Sequence, residues 1–138
     1  MKKVLLDTNI VLDIALKREP HFSDSSQIFN LIDKELIEAA ITATAVTDLY
    51  YIARKEKSNK QAKSFIIDLT KIIEIIGVDK EIIIDALNSN IKDFEDAVQV
   101  FAAEYNEIEA IITRNKKDFQ SCDLEILSPK ELVHKIVK

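Results

Sequence analysis

Short apolar runs alternate along the chain with longer stretches whose apolar residues recur at helical spacing. Val4, Leu5 and Leu6 are consecutive and apolar, the pattern of a strand buried on both faces of a parallel sheet. That strand is predicted over residues 3–7, and a helix over residues 9–16. Arg18-Glu-Pro-His breaks the pattern, because Pro20 disfavours helical backbone before it. A second helix starts near Ser23, with Ile28, Leu31 and Ile32 at helical spacing. Ala40-Ile-Thr reads as a short strand, and Thr44 as the cap of a helix carrying Asp48, Leu49, Tyr51 and Ile52. Ser58-Asn-Lys-Gln61 matches a capping box, opening an amphipathic helix with Phe65, Ile66 and Leu69.

In the second half, Ile72-Ile-Glu-Ile-Ile is strand-like, although periodicity alone also allows a buried helical segment. Asp79 caps a short helix through Ala86. Another helix starts near Asp93 and carries Ala97, Val98, Phe101, Ala102 and Tyr105. Residues 109–113 read as a strand, and residues 125–127 as a final short one. Ser128-Pro-Lys-Glu131 combines N-cap Ser, first-turn Pro and N3 Glu, a strong helix start. Strands alternating with helices imply right-handed crossovers. The expected fold is a three-layer α/β/α domain spanning residues 1–138, with a central, mostly parallel sheet of four or five strands.

Composition narrows the function classes. The chain has 138 residues, 47% of them hydrophobic and 31% charged, as expected of a globular protein. No apolar run is long enough to span a bilayer, and the start lacks the apolar region of a signal peptide. Cys122 is the only cysteine, which excludes an internal disulfide and suits a reducing cytoplasm. A net charge of −5 means that nucleic-acid binding cannot be read from bulk electrostatics. Such binding needs a local basic face, or a cation neutralising an acidic site. With one glycine, Gly77, there is no glycine-rich phosphate loop, and isolated His21 and His134 make no zinc site.

Carboxylates recur where a parallel sheet would present them to a ligand. Asp7 ends the first strand, and ligands in open α/β sheets sit outside the carboxyl ends of strands. Asp96 lies in the first turn of its helix, with Asp93 three residues earlier on the same face. Asp48 sits early in a helix after a strand, and Asp118 follows the strand ending at Thr113. Magnesium and manganese accept a few hard oxygen ligands and retain several waters, so this set suits them. Simpler roles stand beside that reading: helix capping for Asp93, dipole compensation for Asp48, a turn for Asp118. Arg114, Lys116 and Lys117 flank the acids and are candidates for phosphate contact. The cluster of Arg54, Lys55, Lys57, Lys60 and Lys63 reads more simply as a solvated helix face. Tyr50 and Tyr51 are candidates for stacking on bases, with helix packing accounting for at least one of them.

Taken in order, these segments resemble the PIN domain family of metal-dependent ribonucleases over essentially the whole chain. Leu5-Leu-Asp-Thr-Asn-Ile-Val-Leu-Asp13 looks like the family's opening motif, Thr47-Asp-Leu-Tyr-Tyr-Ile its second acidic segment, and Asp93-Phe-Glu-Asp-Ala-Val-Gln its third. Ile112-Thr-Arg-Asn-Lys-Lys-Asp-Phe and Leu127-Ser-Pro-Lys-Glu-Leu resemble the ending of a bacterial VapC-like toxin subgroup. The resemblance implies that Asp7 and Asp96 are the principal ligands of Mg²⁺ or Mn²⁺, supplemented by Asp93. Asp48 stands where the family often has Glu. Asn115 stands at a position that is acidic in many members, which leaves the fourth place to Asp118 or to a water held by Asn115. Thr8, Asn9 and Thr113 would orient carboxylates or water.

The implied chemistry is hydrolysis of an RNA phosphodiester by water activated near neutral pH, leaving a 3′-hydroxyl and a 5′-phosphate, with no His or Lys base required. The implied partners are the RNA substrate, a cognate antitoxin protein of a VapBC-type pair, and a second copy in a homodimer. The implied location is the cytoplasm. Two other readings compete. A phosphotransferase of the haloacid-dehalogenase type needs a second Asp two residues after Asp7, where Asn9 stands. A catalytically lapsed binding or regulatory domain would keep the fold without the chemistry.

Overall fold

The computed structural model describes residues 2–119 and 123–137; Cys122, on which the redox reading rests, lies outside them. Strand β1 (Lys2–Leu6) leads through α1 (Thr8–Ala15) and α2 (Phe22–Asp33) into β2 (Ile37–Thr42). Helices α3 (Ala43–Glu56) and α4 (Asn59–Thr70) lead to β3 (Glu74–Ile76), and α5 (Lys80–Leu87) and α6 (Phe94–Tyr105) lead to β4 (Ala110–Ile112). A 3₁₀ turn (Lys116–Phe119) precedes β5 (Glu125–Leu127), and α7 (Pro129–Val137) follows. The five strands lie in the order β3-β2-β1-β4-β5, every pair parallel.

Side chains alternate across this sheet and give it two cores. Val4, Leu6, Ala110 and Ile112 pack with Ile10, Ile28, Leu49, Leu69 and Leu132, which places α1, α2, α3, α4 and α7 on one face. Leu5, Ala40 and Ile111 pack with Ile82, Val98, Ala102 and Phe119, which places α5 and α6 on the other. Val4, Leu5 and Leu6 are fully buried, so the central strand has no polar face. Burying each such Leu contributes about 1.5–3 kcal/mol. This is the three-layer architecture that the apolar runs predict.

The differences lie at element ends and have local causes. β2 begins at Ile37, and its terminal Thr42, not Thr44, caps α3 by accepting the Ala45 amide at 3.1 Å. Ile72 and Ile73 belong to the turn after α4, because their amides bond back to the carbonyl of Leu69; β3 is correspondingly short. Three predicted caps are in place: Ser58 accepts the Gln61 amide, Asp79 the Ile82 amide, and Ser128 the Glu131 amide. Glu131 returns the bond to the Ser128 amide, completing a reciprocal capping box.

Strand order reverses beside β1: the chain runs outward to β2 and β3 on one side, then crosses to β4 and β5 on the other. The crevice at such a switch point is where open α/β sheets hold ligands. Here the Asp7 amide donates to the Ile112 carbonyl at 3.0 Å, and the Thr113 amide to the Leu127 carbonyl at 2.9 Å. These bonds carry the pairing one residue past the strands and fix Asp7 and Thr113 at the crevice. No helix among the described residues is long and apolar enough to cross a membrane.

Candidate active site

Asp7 leaves β1 in extended conformation and is the N-cap residue of α1, but it does not make the usual side-chain cap to the amides deeper in the first turn. Its carboxylate is held across the crevice instead. Gln99 Nε2 donates to Oδ1 at 3.2 Å, and Thr113 Oγ1 donates to Oδ2 at 2.8 Å. The Asn115 amide in turn donates to the Thr113 hydroxyl at 3.0 Å, orienting it. Asp7 is only 6% exposed. Burial raises its pKa, while the bonds from Thr113, Gln99 and the Thr8 amide and the charge of Arg114 pull against that rise.

The start of α6 supplies the next carboxylates. Asp93 is the N-cap residue, its Oδ1 accepting the Asp96 amide at 3.0 Å, so its first task is the capping role weighed against metal binding. Asp96 is pushed up to about 7, first by burial and then by repulsion from Asp93, Asp7 and Asp118. Glu95, between the two aspartates, is pushed up to about 8. The largest cause is its hydrogen bond with Asp48 of α3, followed by burial and the charges of Asp48, Asp93 and Asp7. That hydrogen bond joins α6 to α3 on the acidic side of the crevice.

Asp7, Asp48, Asp93 and Asp96 thus meet at one crevice, with Glu95 added to the expected set. Asp118 sits exposed on the 3₁₀ turn, near enough to raise Asp96 through its charge. Asn115 is exposed on the approach to that turn. Among the described residues no three His, Cys, Asp or Glu side chains close tightly enough to cage an ion. The donors are all hard oxygens and carry excess negative charge. Such a set fits Mg²⁺ or Mn²⁺, which need one or two carboxylates and keep their waters, and does not fit zinc.

Arg114 is not the open phosphate contact that its position suggested. Its Nε and Nη2 grip Asp13 of α1 at 2.8 and 3.0 Å, and Asp13 is wholly buried. Ser25 of α2 adds a 3.3 Å bond to the same carboxylate. A buried acid requires a partner, so the guanidinium is committed to fastening the crevice loop onto α1 and α2. Lys116 is likewise paired, with Glu131 at 2.9 Å. Of the expected basic rim, Lys117 alone makes no ion pair among the described residues. Gln99 and Asp13 were also missed from sequence. Both interrupt otherwise apolar helix faces, Gln99 one turn after Asp96, which is the signal that marks them.

Thr8 and Asn9 open α1 beside Asp7. With Leu12, Asp48, Tyr51 and Glu95 they border a cavity of about 260 Å³ between α1, α3 and α6.

The chain matches the PIN domain family over residues 3–117. It belongs to that family. It is similar to Ribonuclease VapC1 of Aquifex aeolicus, with 30% identity over 94% of this chain and 92% of that protein. Its fold is similar to that in the crystal structure of VapBC2 from Rickettsia felis bound to a promoter DNA fragment: TM-score 0.70 and 18% identity, covering 91% of this chain and 98% of the other. A toxin–antitoxin complex from Klebsiella pneumoniae gives a TM-score of 0.68 at 23% identity, covering 91% and 97%. The PIN domain match spans all the crevice carboxylates except Asp118, one residue beyond its end.

Proposed function

We propose that this PIN domain protein is a divalent-metal-dependent endoribonuclease and the toxin half of a toxin–antitoxin pair, acting in the cytoplasm. The observation that carries the catalytic reading is the meeting of Asp7 and Asp96 at the switch-point crevice, where burial before all else raises the pKa of both. The pairing with an antitoxin is supported by the similarity to a VapC ribonuclease and to structures of toxin–antitoxin complexes. A homodimer is part of the same reading.

Asp7 and Asp96 would hold Mg²⁺ or Mn²⁺, with Asp48, Glu95, Asp93 and Asp118 reaching it directly or through water. When bound, the ion supplies a water activated near neutral pH and neutralises charge on the leaving oxygen. The rest falls to the chain. Thr113 and Gln99 hold the Asp7 carboxylate in one orientation, and their hydrogen bonds favour its ionised form. Asp93 fixes the first turn of α6 and so aims Asp96. The hydrogen bond between Glu95 and Asp48 ties the start of α6 to α3 and so fixes the acidic wall of the crevice.

Comparison of Asp96→Asn with Asp118→Asn in RNA cleavage tests the assignment. Asp96→Asn is expected to lower turnover about a hundredfold or more, since several kcal/mol of transition-state stabilisation pass through that carboxylate. Asp118→Asn is expected to cost far less. Equal, small losses would mean that the centre lies elsewhere.

A further inference from the structure

The cavity beside the carboxylates has a wall with no part in the chemistry above. Tyr51 is 58% exposed although it borders that cavity. Its ring is nevertheless held in place: Tyr50 meets it edge-on at 5.2 Å, and the Arg54 guanidinium lies over it at 5.3 Å. An exposed aromatic ring fixed from two sides loses little freedom when a second ring stacks on it. Leu12 lines the same space, while Thr8 and Asn9 supply its polar edge. Thr8 is almost wholly buried at the floor of that space, which leaves Asn9 as its accessible neutral polar side chain.

Charge decides which part of a nucleic acid fits here. Asp48 and Glu95 form one side, so a phosphate would be repelled, whereas a neutral planar ring with hydrogen-bonding edges would not. Base stacking on aromatic side chains tolerates any base, and Arg cations add to it. We propose that this cavity is a base subsite in which one unpaired nucleobase of single-stranded RNA stacks on Tyr51 and meets Asn9 along its edge. The inference rests on the ribonuclease reading and names where that substrate is gripped. Arg54 stands outside the cavity, exposed, where it can meet the flanking phosphate. Requiring an unpaired base beside the acidic centre selects single strands and loops over duplex RNA.

The test is steady-state cleavage of a short single-stranded RNA in Mn²⁺ by the wild-type chain and by Tyr51→Ala, Tyr51→Phe and Tyr51→Trp. Tyr51→Ala should lower kcat/KM about tenfold, mainly through KM, within what one stacked base contributes. Tyr51→Phe and Tyr51→Trp keep an aromatic face and should stay within about twofold of wild type. A single abasic nucleotide moved along the RNA should reproduce the loss at one position in the wild type and cost nothing more there in Tyr51→Ala. An abasic scan with no sensitive position, or a Phe variant as impaired as the Ala variant, would overturn the subsite while leaving the ribonuclease reading intact. Because the scan uses the wild-type protein, it decides the matter even if Tyr51→Ala folds poorly. RNA left uncut by the wild type would instead bring down both readings.

Discussion

The Thr113 hydroxyl donates a 2.8 Å hydrogen bond to Asp7 Oδ2, joining residues 106 positions apart at the ends of two paired strands. Neither group is free to turn away, because Thr113 is fully buried and Asp7 nearly so. The bond both orients the carboxylate and opposes the rise in pKa that burial imposes. Thr113→Val keeps the shape and removes the donor. It should cost about 1–3 kcal/mol of stability, the usual penalty for leaving a buried polar group short of a partner. It should also move the acid limb of the pH–rate profile upward, because Asp7 would then ionise at higher pH. Thr113→Ser should restore both quantities, and a Val variant with an unshifted acid limb would show that the bond is not felt by the reaction.

Arg114 belongs to the framework. Arg114→Ala leaves Asp13 buried without its partner and should cost about 3–5 kcal/mol, seen as a lower midpoint in urea. Arg114→Lys should recover only part, since one ammonium cannot reproduce the two-pronged grip. The salt dependence of RNA binding should barely change in Arg114→Ala, measured where that variant is folded. A slope reduced by about one would mean that Arg114 contacts a phosphate after all.

The metal-free protein should lose stability as pH rises. Asp96 and Glu95 hold their protons up to about 7 and about 8 when folded, against ordinary values of 3.8 and 4.5. Between about pH 4 and 8 the folded chain therefore binds more protons than the unfolded chain, so its stability falls through that window. Melting in EDTA at successive pH values reads this directly. Asp96→Asn removes one of the two groups and should flatten the slope while leaving the metal-free protein as stable or more so near neutral pH. A much less stable mutant would make Asp96 a structural residue of α6.

Mn²⁺ should reverse that trend. A cation that binds only the folded crevice adds about 2.7 kcal/mol at a hundredfold excess over its dissociation constant. The rise in melting temperature on adding Mn²⁺ should grow from pH 6 to pH 8 as the carboxylates give up their protons, and Asp96→Asn should shrink it. A gain that is the same at both pH values would separate metal binding from these acids.

What could be read from the sequence follows the range of the interactions. Val4-Leu5-Leu6 before Asp7 marks a central buried strand and the carboxylate at its end because both signals are local. Caps at Ser58, Asp79, Asp93 and Ser128 were visible for the same reason: donor and acceptor are three residues apart. The engagement of Arg114 is not legible in the sequence because its partner Asp13 lies 101 residues away. Only the fold reveals that a basic residue beside the site is already engaged. Glu95 escaped notice because the spacing of Asp93 and Asp96 defined one helix face, whereas Glu95 points to Asp48 on α3. The raised pKa values also have a different leading cause from simple repulsion: burial for Asp96, a hydrogen bond with Asp48 for Glu95.

The most direct test of the central claim is cleavage of single-stranded RNA by the purified chain, freed of any bound partner, with Mn²⁺ and then with excess EDTA. Cleavage in Mn²⁺ is expected to leave 5′-phosphate and 3′-hydroxyl ends, to stop in EDTA, to return when Mn²⁺ is restored, and to be absent from Asp7→Asn. Cleavage that continues in EDTA, or that survives Asp7→Asn undiminished, would contradict that claim.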